Sequence, residues 1–319
     1  MPIVTVFGGS GFIGRYAVRK FAKQGWRVRV AVRRPNEAMF LRTAGDVGQV
    51  ETIQANIRDD ASTERAIAGS DAVVNLVGLL FPTRKQTFDA VQRDGAERIA
   101  RFCARHGIDR MVHVSAIGAD AESGIDYQRT KAEAEAAVLR HVPTATILRP
   151  SLVFGPEDEF FNRFAGMARM SPVLPLIGGE TRFQPVYVGD VADAIVRSLG
   201  SAEARGAVYE LGGPETVTMR EVFDLVMEET GRKRAVLPVP GWLARVQATV
   251  FELPNKLFGM APLLTRDQVE MLDTDNVVGD DAKGLGDLGI KGTTLESILP
   301  TYLYRYRVSG QYARTRVAR

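Results

Sequence analysis

Through the first 150 positions, short β-branched apolar runs alternate with longer stretches whose apolar residues recur every three or four positions. The first pattern suits strands buried on both faces of a sheet, and the second suits helices that bury one face. Strands are expected at Ile3–Phe7, Arg27–Val32, Val50–Gln54, 72–77, 110–114 and 144–148. Helices are expected near 12–23, 36–44, 61–68, 86–106 and 127–140. Such alternation implies βαβ units, and therefore an α/β fold with a doubly wound parallel sheet.

After Arg149-Pro150 the alternation stops, and Pro and Gly cluster at Gly155-Pro156, Ser171-Pro172, Pro175 and Gly178-Gly179. Later elements are expected as a strand at 184–188, a helix at 190–199 capped by Asp190, a strand at Val208–Leu211, a helix at 218–230 and a strand at 235–239. The expected organisation is a dinucleotide-type domain over 1–150, a smaller C-terminal lobe over 151–304 that partly returns to the first core, and a basic tail over 305–319.

Composition narrows the class without naming a function. At 319 residues, 45% hydrophobic and 25% charged, the chain is long enough for a sizeable core. The apolar stretch at 71–81 falls short of the roughly 20 residues a membrane span needs. Met1 leads directly into a strand pattern, which suggests a cytosol-like compartment and bacterial origin. The lone Cys103 reads as a core thiol, and His106, His113 and His141 are too scattered for a metal site.

A net charge of +3 gives no case for nucleic-acid binding, but five arginines and no acid lie within 305–319. That tail suits an anionic membrane surface, an acidic partner or plain solvation. The apolar residues Trp242, Phe251, Leu253, Leu257, Phe258 and Met260, interrupted by Pro254 and Gly259, read either as lobe core or as a docking patch.

The strongest chemical signal is Gly8-Gly9-Ser10-Gly11-Phe12-Ile13-Gly14, placed between a strand and a helix. In that position, glycines permit a tight turn and close approach to a pyrophosphate. The helix N-terminus supplies unpaired N–H groups and a positive dipole end. A Rossmann dinucleotide site follows. The second strand ends in Val32-Arg33-Arg34-Pro35 with no acid, and arginine forks suit a 2′-phosphate, so NADP(H) is favoured over NAD(H). Asn56-Ile57, Val77-Gly78 and Pro150 complete the expected cofactor contacts.

With Tyr127-Gln128-Arg129-Thr130-Lys131 added, the chain resembles the extended, atypical branch of the short-chain dehydrogenase/reductase superfamily. That resemblance implies a Tyr127–Lys131 pair on one helix face, with the lysine holding the nicotinamide ribose and the phenol exchanging a proton. It also implies a hydroxyl one or two positions beyond Ser115, where this chain has Ala116 and Ile117. Ser115 is then expected to cap the strand end, leaving a site better suited to holding cofactor than to chemistry.

The stretches 149–164, 184–192, 238–242, 265–269 and 287–289 resemble more closely the nucleotide-binding accessory subunits of respiratory complex I. This resemblance implies a structural nucleotide, other complex I subunits as partners, and a peripheral place at the cytoplasmic face of a bacterial inner membrane. A free-standing NADPH-dependent reductase, a sugar-nucleotide epimerase, a quinone-biosynthesis protein and a dinucleotide sensor stay open beside it. Tyr127 and Lys131 favour an enzyme, whereas Ala116, Ile117 and the basic tail favour the subunit.

Overall fold

The computed structural model describes residues 1–83, 86–244, 246 and 265–312. The first half builds β1 (Ile3–Phe7), α1 (Phe12–Lys23), β2 (Arg27–Val32), β3 (Val50–Gln54), α2 (Asp60–Ile67), β4 (Ala72–Asn75), α3 (Asp94–Arg105), β5 (Met111–Val114), α4 (Asp126–His141) and β6 (Thr146–Pro150). All six strands are parallel, with β1 central between β2 and β4. Their alternating side chains feed two cores. Val4, Val6, Val28 and Val30 join Ala17, Val18 and Phe21 of α1 on one face. On the other face Phe7 and Val73 join Ile99, Ala100 and Cys103 of α3 and Ala134 of α4.

Several expected boundaries move for local reasons. The fourth strand stops at Asn75 rather than 77, because the Asn75 Oδ1 accepts the Val77 N–H at 3.1 Å and turns the chain. Residues Pro35–Ala44 form a 3₁₀ rather than an α-helix. Their buried positions, Ala38 and Leu41, are three apart, which a helix of three residues per turn keeps on one line. The long helix expected from 86 to 106 begins instead as a π-turn over Asp89–Arg93 and only then becomes α3.

The second half supplies β7 (Val153–Phe154), α5 (Phe161–Met170), β8 (Val173–Leu176), β9 (Arg182–Phe183), β10 (Val186–Tyr187), α6 (Val188–Gly200), β11 (Val208–Leu211), β12 (Val217–Thr218), α7 (Met219–Thr230), β13 (Ala235–Pro238), α8 (Arg266–Met271) and α9 (Leu295–Leu303). Strand β11 adds a seventh parallel strand beside β6, and α6 packs on α1, so this stretch completes the first sheet. A separate core unites Phe154, Phe161, Leu174, Phe223 and Leu299.

The strand expected at 184–188 is only Val186–Tyr187 long, and β9 precedes it at Arg182–Phe183. Pro185 offers no N–H between them, β9 pairs antiparallel with β12, and β10 pairs parallel with β7. Asp190 is not the cap of its helix. Tyr187 holds that position, and the buried Asp190 carboxylate accepts the Thr293 N–H at 2.7 Å and the Thr293 hydroxyl at 2.9 Å.

The beginning of the basic tail is docked. Arg305 donates to the Pro156 carbonyl at 2.6 Å, and Arg307 pairs with Glu229 at 3.1 Å. Trp242 is exposed, whereas Phe251, Leu253, Pro254, Leu257, Phe258, Gly259, Met260 and residues 313–319 lie outside the described residues.

Candidate functional site

The glycine turn sits where β1 runs into α1. Gly8 has a φ of +77°, a region that favours glycine, and its carbonyl accepts the Gly11 N–H at 3.0 Å. Gly14 is the tightest position. A Cβ there would lie 2.3 Å from the Gly8 oxygen and 2.6 Å from the Gly9 Cα. Only glycine lets α1 start this close to the turn.

Gly11 occupies the cap of α1, and among the described residues no side chain caps it and no acid lies in the first turn. The N-terminal N–H groups of α1 therefore face outward beside Ser10 with their dipole uncompensated, a ready anion site. Phe12 turns toward Gly155, whose added Cβ would touch its ring at 3.4 Å, and Ile13 packs on the sheet core.

The two arginines beyond β2 diverge. Arg33 donates to the Gln86 Oε1 at 2.6 Å, whereas Arg34 pairs with Glu37 at 2.9 Å on the open surface. Asn56 is committed to a turn, its Oδ1 accepting the Arg58 N–H at 3.2 Å, and Ile57 is buried in the core against the α3 side. Val77 packs on that same core, and the turn closes on the β4 end, since a Cβ on Gly8 would lie 3.3 Å from the Val77 nitrogen.

Tyr127 and Lys131 share one face of α4, with the Lys131 Nζ 5.9 Å from the Tyr127 ring centroid. Lys131 is buried, donates to the Val114 carbonyl at 3.3 Å, and lies 3.6 Å from the place a Gly78 Cβ would take. Burial lowers its pKa to about 8, opposed by the Glu135 carboxylate one turn on. Glu135 is itself buried and accepts from Arg149 at 2.6 and 3.0 Å.

Tyr127 packs edge-on to Phe88, ring centroids 5.9 Å apart, and burial pushes its phenol up to about 12. His113, beside Lys131, is pushed down to about 3 by burial and then by that ammonium. The Asn75 amide fixes its tautomer. Its oxygen faces the Val77 N–H, so its Nδ2 donates to the His113 Nδ1 at 3.1 Å and leaves the ring proton on Nε2. The histidine is thus a neutral neighbour, and Lys131 is the local cation.

Ser115 does not cap the strand end. Its N–H extends the ladder to the Leu148 carbonyl at 2.7 Å, while its buried Oγ has no partner among the described residues. Ala116 and Ile117 occupy the two positions where the family resemblance would place a catalytic hydroxyl; Ile117 is buried, and its N–H donates to the Pro150 carbonyl at 3.1 Å.

Sequence reasoning passed over Gln86, which binds Arg33, and Asn276, whose Nδ2 donates to the Ile117 carbonyl at 3.5 Å. Neither carries a local motif. Among the described residues no cluster of His, Cys, Asp and Glu could hold a metal ion, and no helix is long and apolar enough to cross a membrane.

Comparison with known proteins bears on the family and the fold. The model of the NAD dependent epimerase/dehydratase family matches residues 4–212. The chain is 34% identical, over 97% of its own length and 80% of the relative's, to the mitochondrial NADH-ubiquinone oxidoreductase 40 kDa subunit of Neurospora crassa. It is 36% identical to the mitochondrial NADH dehydrogenase [ubiquinone] 1 alpha subcomplex subunit 9 of Arabidopsis thaliana, over 97% and 79% of the two chains. Among solved structures, the NADPH-dependent quinone oxidoreductase QOR2 of Escherichia coli complexed with NADPH superposes with a TM-score of 0.73. That match covers 92% of this chain and 97% of that one at 19% identity, so it speaks for the fold alone.

Proposed function

The chain belongs to the NAD dependent epimerase/dehydratase family, and from that premise we propose that it is an accessory subunit of a respiratory NADH:ubiquinone oxidoreductase that holds its dinucleotide as a structural element. The observation that carries this reading is similarity along nearly the whole chain, lobe included, to subunits named for that complex in a fungus and a plant. The site is consistent with it. Glycine turn, Lys131 and Gly78 form a cofactor cradle, while Ile117 puts a buried aliphatic side chain where acyl or carbonyl chemistry would want a donor.

In this reading Tyr127 and Lys131 serve binding. The ammonium faces the ribose, and the phenol, protonated up to about 12, donates a hydrogen bond. When bound, the nicotinamide could supply a hydride. NADP(H) is the preferred form, because arginine and no acid stands at the end of β2. The partners are other subunits of the complex, with the chain peripheral at the junction of hydrophilic arm and membrane. There, exposed Trp242 and the arginines beyond 312 meet the anionic surface.

The retained Tyr127–Lys131 pair favours a second reading, a free-standing NADPH-dependent reductase. The two readings part on turnover of the bound nucleotide. Purified protein, mixed with quinones, ketones or nucleotide sugars, should leave its nucleotide unchanged by absorbance at the reduced-nicotinamide band. Rapid oxidation that disappears in Tyr127→Phe would establish the reductase instead.

A further inference from the structure

We propose that Gln86 is the positioning residue that sets dinucleotide preference, by holding Arg33, and not Arg34, in place for a 2′-phosphate. This rests on the NADP(H) reading above and assigns the discrimination to one residue pair. Both arginines follow β2, but the structure gives them different tasks. Arg34 is ion-paired with Glu37 one turn into the 3₁₀ segment, where both side chains are largely exposed, so its charge is already answered by a carboxylate. Arg33 meets no acid among the described residues. Its Nη1 donates to the neutral Gln86 amide oxygen at 2.6 Å, which fixes the plane of the guanidinium without neutralising it.

The placement is right for a ribose phosphate. The residue two before Arg33, Ala31, accepts the Gly8 N–H at 3.2 Å, and Ala55 donates to the Val32 carbonyl at 2.9 Å, so Arg33 emerges directly beside the glycine turn. Gln86 is held from the backbone rather than by its side chain. Its N–H donates to the Thr83 carbonyl at 3.1 Å, and its carbonyl accepts the Thr83 N–H at 2.8 Å. The adjacent Thr87 hydroxyl accepts the Ala90 N–H at 3.1 Å and anchors the π-turn.

A guanidinium oriented through one Nη1 keeps its Nε and Nη2 for a forked contact with phosphate oxygens, and the Gln86 Nε2 adds further donors. A free arginine would have to lose rotamer freedom on binding, a cost the Gln86 contact removes beforehand. A nucleotide lacking the phosphate gains nothing from this arrangement.

The test measures affinities of nucleotide-stripped, full-length protein for NADPH and NADH in wild type and in Arg33→Ala, Arg34→Ala, Gln86→Leu and Gln86→Glu. Arg33→Ala should lower the NADPH/NADH preference about tenfold or more, since one charge-assisted pair is lost. Arg34→Ala should leave it within about twofold, as expected for an exposed pair. Gln86→Leu should lower the preference about three- to tenfold with NADH affinity unchanged, which also shows that the variant folds. Gln86→Glu should lower it further, because the new carboxylate pairs with Arg33 and repels phosphate.

If wild type prefers NADPH and Arg33→Ala abolishes that preference while both Gln86 variants keep it, the assignment to Gln86 is wrong and the NADP(H) reading stands. An Arg34→Ala effect as large as that of Arg33→Ala also overturns the assignment. Equal affinity of wild type for both nucleotides removes the NADP(H) reading itself.

Discussion

Replacing Gly14 by alanine should cost both stability and nucleotide, and the structure sets the size. The new Cβ would stand 2.3 Å from the Gly8 oxygen, 2.6 Å from the Gly9 Cα and 2.7 Å from the Gly9 carbonyl carbon. All three are backbone atoms, so no side chain can swing aside, and α1 must move outward. Its buried face, Ala17, Val18, Phe21 and Ala22, moves with it. Overpacking of this kind costs about 1–3 kcal/mol, here toward the upper end because the obstacle is backbone. Alanine returns up to about 1 kcal/mol of helix propensity, leaving a net loss of about 2 kcal/mol. At this chain length that corresponds to a fall in Tm of roughly 3 °C.

Displacement also withdraws the N–H groups of α1 from the pyrophosphate, so nucleotide content should fall at least about tenfold. Gly11→Ala is the control. Its φ of −71° suits any residue, and its added Cβ would meet only the Gly8 oxygen, at 3.2 Å, so stability should stay within about 0.5 kcal/mol of wild type. Thermal unfolding by circular dichroism, with extraction and mass analysis of bound nucleotide, reads both effects. Gly14→Ala protein with unchanged Tm and full nucleotide would refute the placement of the loop.

Other expectations follow from the same site. Glu135→Ala leaves the Arg149 guanidinium without its forked partner beside buried Lys131, so urea unfolding should show a loss of about 3 kcal/mol, and an effect below about 1 would mean water already screens the pair. Nucleotide affinity, measured by calorimetry, should hold steady below pH 8 and decline above it as Lys131, whose pKa is lowered to about 8, loses its proton; Lys131→Met should flatten the profile. Because that pKa lies below the usual value of 10.5, the unfolded chain binds the extra proton between them, and this group makes stability rise with pH over that window. Deleting 313–319 should leave Tm and nucleotide content unchanged while weakening membrane association at low salt. Deleting from 305 should also destabilise the lobe, because Arg305 and Arg307 are docked on it; equal Tm values for the two truncations would contradict that.

The sheet was legible because its determinants are local. The first three strands run at the positions their β-branched runs mark, and Gly8 to Gly14 carry the glycine turn in seven consecutive residues. Features that depend on partners far along the chain were not legible. Asp190 looked like a cap because an acid at a helix start usually is one, but Thr293 claims it from 103 residues away. Gln86 meets Arg33 across 53 residues, and Asn276 reaches Ile117 across 159, with no spacing to announce either. Pro185, by contrast, carried a local signal that the expected strand at 184–188 overlooked; a residue without an N–H cannot continue a ladder, and the strand begins only at Val186.

The reading as a complex I subunit is tested most directly in native membranes. Mild-detergent extracts, resolved under non-denaturing conditions, can be stained for NADH dehydrogenase activity and probed for this chain. The account predicts that the chain runs with the active band, and that cutting out this band and extracting it yields NADP(H). A chain found only in the soluble fraction or at its own mass, with the active band free of it, would contradict the account.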